Sequence, residues 1–116
     1  MMDKYLKRIG YRGTVNRDLP SLNALVQAQL THIPFENLDI WAKGICPSLE
    51  KDDLFNKIVV RNRGGYCFEL NTLFRHLLCY LGFEVYQAVS SLVNEDGTPH
   101  TAAHNVIICT LNGEKY

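Results

Sequence analysis

The run from Arg63 to Asn71, Arg-Gly-Gly-Tyr-Cys-Phe-Glu-Leu-Asn, contains the residue in this sequence that is best suited to chemistry. Two glycines lead into Cys67, and glycine tolerates tight backbone that other residues resist. A cysteine at a helix N-terminus meets unpaired N–H groups and the positive end of the helix dipole, which favour the nucleophilic thiolate. The alternative is a glycine turn followed by a small buried hydrophobe. The pattern indicates a nucleophile or a core residue.

Four histidines are candidates for the base that a cysteine nucleophile needs within hydrogen-bond reach. His76 lies nine residues after Cys67, about two and a half helical turns away and rotated to the opposite side. His32 is near a helix end, and His100 is in a turn cluster. His104 is favoured because a strand can hold its imidazole against a helix terminus. The alternative is a half-buried histidine bonded to backbone, and the choice stays open because such pairing is spatial.

The carboxylate that would orient the imidazole is harder to identify. The candidates within the sequence lie in a loop, after a hairpin turn or on another helix face: Asp96, Glu114 and Glu69. A carboxylate on the strand that returns from Asn112-Gly113 would lie across from His104. That position is past Tyr116, so we expect the third group outside this sequence.

The clearest element is the helix that follows Cys67. Its apolar residues recur at helical spacing: Leu70, Leu73, Phe74, Leu77, Leu78 and Leu81. Gly82 suits the position after a helix end. Cys67 lies three residues before Leu70, so we expect it on the buried face at the first turn.

Three more helices are expected upstream. Their predicted ranges are 3–9, 20–33 and 49–60. Asp18 is the expected cap of the second helix and Ser48 that of the third. Residues 35–42 are expected to be extended or irregular.

The pattern changes after Gly82 to β-branched and aromatic residues. Strands are predicted at 83–93 and 103–111, separated by a turn at 94–99. Asn112-Gly113 then predicts a hairpin turn. Because almost no returning strand follows it, we expect this sequence to be the front part of a longer protein, cut inside a sheet.

The expected fold class is therefore α+β, a helical bundle followed by the first strands of a β-barrel or sheet. Residues 1–83 would form the helical bundle with the candidate cysteine. Residues 84–116 would begin the β domain with the candidate histidine.

The composition argues against several functions. Twelve basic residues balance twelve acidic ones, so no charge excess indicates nucleic acid or an anionic membrane as a partner. Lys57, Arg61 and Arg63 are expected to form an ordinary solvated face. No apolar stretch approaches the roughly 20 residues of a membrane span, and no signal peptide is evident, so a cytoplasmic location is expected. The four cysteines lack metal-ligand spacing, so free thiols and no metal are expected.

Three segments together resemble the arylamine N-acetyltransferase family. The run 63–71 resembles the family's R-G-G-x-C-x-E-x-N signature, and 33–38, Ile-Pro-Phe-Glu-Asn-Leu, resembles its I-P-F-E-N-L segment. The stretch 101–108, with His104 before an apolar run, is similar to the family's catalytic-histidine strand. The three segments have the family's order and spacing.

The resemblance implies a cysteine-proteinase-like or transglutaminase-like core that transfers acetyl from acetyl-coenzyme A to arylamines or arylhydrazines. The implied mechanism is ping-pong, through an acetyl-cysteine. It makes Cys67 the nucleophile and His104 its base, with the triad aspartate beyond Tyr116.

The same resemblance implies supporting residues. Glu36 and Arg63 match positions that hold the active-site loop through an ion pair. Phe35 and Tyr66 match positions near the acceptor amine. The implied partners are the small-molecule acceptor and coenzyme A.

Two other hypotheses remain open from the sequence. One is a related Cys-His acyltransferase that closes an amide in a biosynthetic pathway. The other is a catalytically inactive truncation that acts only as a binding module, with an exposed strand edge that favours self-association.

Overall fold

The protein is an α+β structure of short helices and a three-stranded antiparallel sheet, as the sequence predicts. The computed structural model describes residues 1–100 and 103–116, and residues 101 and 102 only as part of a strand. The helices are α1 Met2–Arg8, α2 Leu19–His32, α3 Leu38–Lys43, α4 Lys51–Phe55 and α5 Cys67–Tyr80. The strands are β1 Glu84–Val93, β2 Pro99–Leu111 and β3 Glu114–Lys115, in the order β1-β2-β3.

Helix α5 is at the centre of the core, in agreement with its apolar periodicity. Leu73 and Leu77 are completely buried, and Leu78 is nearly so. One core cluster joins α5 to α1, α2, α4 and the sheet, through Tyr5, Ile9, Leu25, Leu54, Ile58, Cys109 and Leu111. Each large apolar side chain buried there contributes about 1.5–3 kcal/mol. The helix that starts with Cys67 is therefore a rigid scaffold for a site.

Helix α2 has the predicted cap, and both of its ends lie one residue before those of the predicted range 20–33. The Asp18 carboxylate accepts a hydrogen bond from the Ser21 backbone N–H at 2.9 Å, and Pro20 lies in the first turn. The helix ends at His32. The next residue, Ile33, precedes Pro34, and the α conformation is disfavoured for a residue before proline.

The prediction that residues 35–42 are extended or irregular is wrong for most of that segment, because Leu38–Lys43 forms α3. A six-residue helix is too short to show a periodic pattern, and its apolar residues, such as Trp41, are exposed. Gly44 ends the helix in the left-handed conformation, with φ of 62°. Ion pairs of Asp39 with distant residues hold the helix in place.

The third predicted helix is shorter and less regular than expected. Helix α4 starts at Lys51, and Glu50 is its N-cap; Ser48 instead accepts a hydrogen bond from the Glu50 N–H. The chain then continues as a π-helical turn over Asn56–Val60. Such wide turns are rare in proteins, and those that occur are often located at functional sites.

The β-hairpin is longer than expected. Strand β2 starts at Pro99, paired with Val93, and not at Ala103. A proline fits the first residue of a strand, where its missing N–H costs no ladder hydrogen bond. The predicted turn at 112–113 is present, with positive φ at Asn112 and Gly113.

Helix α5 packs directly on both β1 and β2. The division into domains at residue 83 stays a prediction. Among residues 1–100 and 103–116, no helix combines the length and the apolar character that crossing a membrane requires.

Candidate active site

Cys67 is the first residue of α5 and is buried, with 7% of its surface exposed. Tyr66 is the N-cap and has extended backbone. The thiol group therefore belongs to the first helical turn, where backbone N–H groups lack intrahelical partners and the dipole is positive. The predicted location is confirmed. All four cysteines are free thiols, as expected; Cys46 and Cys79 are exposed, and Cys109 is buried.

A close backbone approach requires glycine at position 64, before Cys67. The Glu36 N–H donates to the Gly65 carbonyl at 2.9 Å, and Phe35 and Gly65 form a parallel bridge. A Cβ at Gly64 would lie 1.9 Å from the Pro34 carbonyl oxygen. The Ile-Pro-Phe-Glu segment and the Arg-Gly-Gly segment are therefore neighbours in space, and each fixes the path of the other.

An ion pair joins the same two segments. The Arg63 guanidinium donates from Nε and Nη2 to Glu36 Oε1 at 3.2 and 3.0 Å. Nη2 also donates to Asp39 at 3.3 Å, and Glu36 accepts from the Leu38 N–H at 2.8 Å. Hydrogen bonds to Glu36 are the main cause that raises the pKa of Arg63. The structure thus brings Arg63 and Glu36 together, and their role in supporting a catalytic loop stays a prediction.

Lys57 contradicts the expected solvated face. Its side chain is 7% exposed, and its Nζ lies 2.8 Å from Asp39 Oδ2 and 2.6 Å from Glu69 Oε1. Burial opposes the charged amine, but the hydrogen bonds to Asp39 and Glu69 prevail and raise the Lys57 pKa. The hydrogen bond from Lys57 is the main cause that holds the Asp39 pKa well below its usual range. A buried ammonium is tolerated here because two carboxylates pair with it.

Glu69 also connects to the cysteine turn. Its side chain is 1% exposed, and Oε2 accepts a hydrogen bond from the Tyr66 backbone N–H at 3.2 Å. The sequence contained a signal for this contact, because a glutamate three residues after an N-cap is the capping-box position. The structure uses Glu69 in this cap and in the ion pair with Lys57.

His104 is half-buried on β2. Its carbonyl accepts from Ser90 Oγ at 3.2 Å, and the Asn105 carbonyl next to it accepts from Asn71 Nδ2 at 2.6 Å. This second bond ties α5, the helix of Cys67, to the strand of His104. Side chains alternate along a strand, so His104 projects from the opposite face to Asn105.

In the described part of the chain, no hydrogen bond joins the His104 ring to Cys67 or to a carboxylate. Catalytic pairing of Cys67 with His104 therefore stays a prediction.

A polar bridge that sequence reasoning missed fixes α5 against the sheet. Gln87 Nε2 donates to Thr72 Oγ1 at 3.0 Å and to Asn105 Oδ1 at 2.9 Å. Arg75 Nε donates to Gln87 Oε1 at 3.1 Å. The only signal in the sequence is that Asn71, Thr72 and Arg75 lie together on the helix outside its leucine positions.

The other histidines have local partners or surroundings. His32 Nδ1 lies 3.0 Å from the Ala28 carbonyl. The pKa of His76 is lowered, first by burial and then by the nearby Arg75 charge. His100 is exposed. Within residues 1–100 and 103–116, no group of three or more His, Cys, Asp or Glu is arranged to hold a metal ion.

The two aromatic residues predicted near an acceptor differ in exposure. Phe35 is 67% exposed. Tyr66 is half-buried, and its ring centroid lies 5.6 Å from that of Phe68. Burial is the main cause that raises the Tyr66 pKa, followed by the charge of Glu69. Tyr66 directly precedes Cys67 in the chain, and Phe35 pairs in space with Gly65, two residues before Cys67. Acceptor binding by Phe35 and Tyr66 stays a prediction.

Comparison with known proteins identifies relatives of this chain. A sequence profile of the N-acetyltransferase family matches residues 18–116. An arylamine N-acetyltransferase of Mycolicibacterium smegmatis is 42% identical over 112 residues, which cover 94% of this chain and 41% of that protein.

Solved structures agree. The arylamine N-acetyltransferase of Mycobacterium marinum superposes with a TM-score of 0.87 at 36% identity, covering 97% of this chain and 43% of that one. A Bacillus cereus arylamine N-acetyltransferase, described as having a unique Cys-His-Glu catalytic triad, gives 0.84 at 27% identity, covering 99% and 46%. The chain spans about two fifths of the length of these relatives. With the family profile matched over most of its residues, the chain belongs to the arylamine N-acetyltransferase family.

Proposed function

We propose that the protein transfers an acetyl group from acetyl-coenzyme A to an arylamine or arylhydrazine through an acetylated Cys67. The observation that carries this proposal is the position of Cys67, buried as the first residue of α5 behind a loop held by close backbone contacts and ion pairs. Membership of the family supports it. A thiol on a rigid helix terminus is suited to nucleophilic attack because the helix dipole favours its thiolate.

The proposed reaction has two halves. The Cys67 thiolate attacks the thioester carbonyl, a new C–S bond forms, and the bond to the coenzyme A sulfur breaks. Coenzyme A leaves with a proton from the imidazolium of His104. The acceptor nitrogen then attacks the acetyl-cysteine, the C–N bond forms, the C–S bond breaks, and His104 takes the amine proton. This sequence is ping-pong because the first product leaves before the acceptor reacts.

We propose that the core is cysteine-proteinase-like, with its nucleophile on a helix terminus and its base on a strand that packs on the same helix. If β2 and β3 stay paired in the same register past Tyr116, the orienting carboxylate would lie on β3 opposite His104. We expect an aspartate there; the Cys-His-Glu triad described for the Bacillus cereus relative makes glutamate the second candidate. Without such a group the imidazole loses its orientation, for which a loss on the order of 10⁴ in rate is typical.

Arg63 and Glu36 would support this reaction by fixing the loop before Cys67. Phe35 and Tyr66 would line the side from which the acceptor amine approaches. The exposed ring of Phe35 is available for contact with an aromatic substrate.

Mass spectrometry after incubation with acetyl-coenzyme A tests the nucleophile. We expect a single acetyl group on the peptide that contains Cys67, and none after Cys67→Ser. Cys79→Ser is the matched control, because this exposed thiol lies on the same helix. An adduct on Cys46, Cys79 or Cys109 in place of Cys67 would overturn the assignment.

Alkylation tests the base. His104→Gln is expected to slow iodoacetamide labelling of Cys67 near neutral pH, whereas His76→Gln, on the helix of Cys67, is expected to leave it unchanged. Equal labelling of the unmodified protein and His104→Gln would remove His104 as the activating group.

A further inference from the structure

We infer that Lys57 maintains the reactivity of Cys67 by neutralising the buried carboxylate of Glu69. This inference rests on the proposed role of Cys67 as a nucleophile. Lys57 and Glu69 touch neither substrate nor the reacting atoms in this scheme, so they are positioning residues that act through the cysteine.

Glu69 lies in the same helical turn as Cys67. Its carboxylate is 1% exposed and is bonded to the N–H of Tyr66, the residue directly before the cysteine. Water therefore does not screen its charge. A buried negative charge in this turn opposes formation of a thiolate, in conflict with the helix dipole, which favours it.

Lys57 removes this conflict. Its Nζ lies 2.6 Å from Glu69 Oε1, so the pair presents little net charge to the cysteine. The second carboxylate on Lys57, that of Asp39, is also paired with Arg63 and with Lys43. Asp39 therefore does not depend on Lys57 alone, whereas Lys57 is the one cation paired with Glu69 in the described residues.

The charges of both Glu69 and Lys57 act on the Tyr66 side chain, directly before Cys67. The pKa of the Tyr66 hydroxyl is raised by burial and by the charge of Glu69, and is lowered by the charge of Lys57. The charges of Cys67 and Cys46 also raise it. Arg63, Glu36 and Lys43 belong to the same ion-pair network, and Asp53 and Arg61 line the cavity beside it.

A purely structural role for the pair predicts something different. In that case both single variants would weaken the fold, and the midpoint pH of Cys67 alkylation would move in the same direction in both of them. An electrostatic role predicts opposite signs, because removing the cation and removing the anion change the charge near the thiol in opposite directions.

The test measures the midpoint pH of Cys67 alkylation by iodoacetamide in three variants, Lys57→Gln, Glu69→Gln and the double variant. Peptide mapping by mass spectrometry separates Cys67 from the exposed Cys46 and Cys79. Glutamine at either position still offers a hydrogen bond to the other partner. Lys43→Gln is the control, since Lys43 pairs with Asp39 at 3.2 Å and is largely exposed.

We expect Lys57→Gln to raise the midpoint by about one pH unit, the effect of one unit charge several ångströms away at an effective dielectric constant of about 20–40. Glu69→Gln is expected to lower it. The midpoint of the double variant is expected to return towards that of the unmodified protein. The midpoint of Lys43→Gln is expected to equal that of the unmodified protein.

Midpoints that move in the same direction in both single variants, or in neither, would overturn the inference. If Lys57→Gln does not fold, Glu69→Gln against the unmodified protein still decides the sign. The acetyl adduct is a separate readout. Opposite shifts without an acetyl adduct would refute the proposed transfer and leave the charge effect standing, whereas an adduct without the shifts would do the reverse.

Discussion

The hydrogen bond from Asn71 to the Asn105 carbonyl is the contact whose removal best tests how helix and sheet are joined. Asn71 Nδ2 donates at 2.6 Å to a carbonyl on β2, beside His104, from the helix that starts with Cys67. Asn71→Ala removes the donor without adding bulk. The Asn105 carbonyl, on a residue that is only 6% exposed, then loses this partner.

The expected cost follows from this loss. Leaving a buried acceptor unsatisfied costs about 1–3 kcal/mol, a large part of the 5–15 kcal/mol that is typical of whole domains. With a urea dependence of about 1–3 kcal/mol per molar, the unfolding midpoint would fall by roughly 1 M. Because the strand of His104 also loses an anchor, the rate at which acetyl-coenzyme A acetylates Cys67 should fall as well.

Urea unfolding followed by circular dichroism measures the change in midpoint, and mass spectrometry measures the acetylation rate. Asn23→Ala is the matched control, because Asn23 is an exposed asparagine on α2. A midpoint for Asn71→Ala equal to that of the control would refute the idea that this bond holds the helix to the sheet.

Three further predictions concern the loop, the charge network and the core. Gly64→Ala places a Cβ 1.9 Å from the Pro34 carbonyl and should cost about 1–3 kcal/mol or more; a thermal midpoint equal to that of the unmodified protein would contradict the close approach. The Asp39 pKa is lowered in the folded state, so its ion pairs stabilise the protein above about pH 4 and lose this effect as the pH falls further. Asp39→Asn should therefore lower stability to urea at pH 7, and the gap should narrow at pH 3; a constant gap would argue against it. Leu77→Ala, at a fully buried position, should cost about 2–5 kcal/mol in urea unfolding, and Leu30→Ala, at a position 69% exposed, should change little; similar costs would contradict the assigned core.

Local signals in the sequence were sufficient for the regular elements. The leucine spacing of α5, the Asp18 cap of α2 and the Asn112-Gly113 turn each depend on residues that are close in the chain. Their physical causes, burial of one helix face, satisfaction of a terminal N–H and positive φ, are readable from a few neighbours.

Elements held by distant partners were not predictable in this way. Helix α3 has no buried apolar stripe, and ion pairs of Asp39 with Lys57 and Arg63 hold it in place. The π-helical turn at 56–60 and the early start of β2 at Pro99 likewise have no periodic signature.

The same distinction between local and distant contacts applies to the candidate site. The sequence by itself determined which thiol lies at the start of α5 and which motif surrounds it, because both depend on residue type and local spacing. Only the tertiary structure decided that Lys57 is buried against Glu69 and that Asn71 is bonded to the strand of His104. Those contacts join residues far apart in the chain, and they form because the packing of α5 against the loop and the sheet brings their side chains within hydrogen-bond distance.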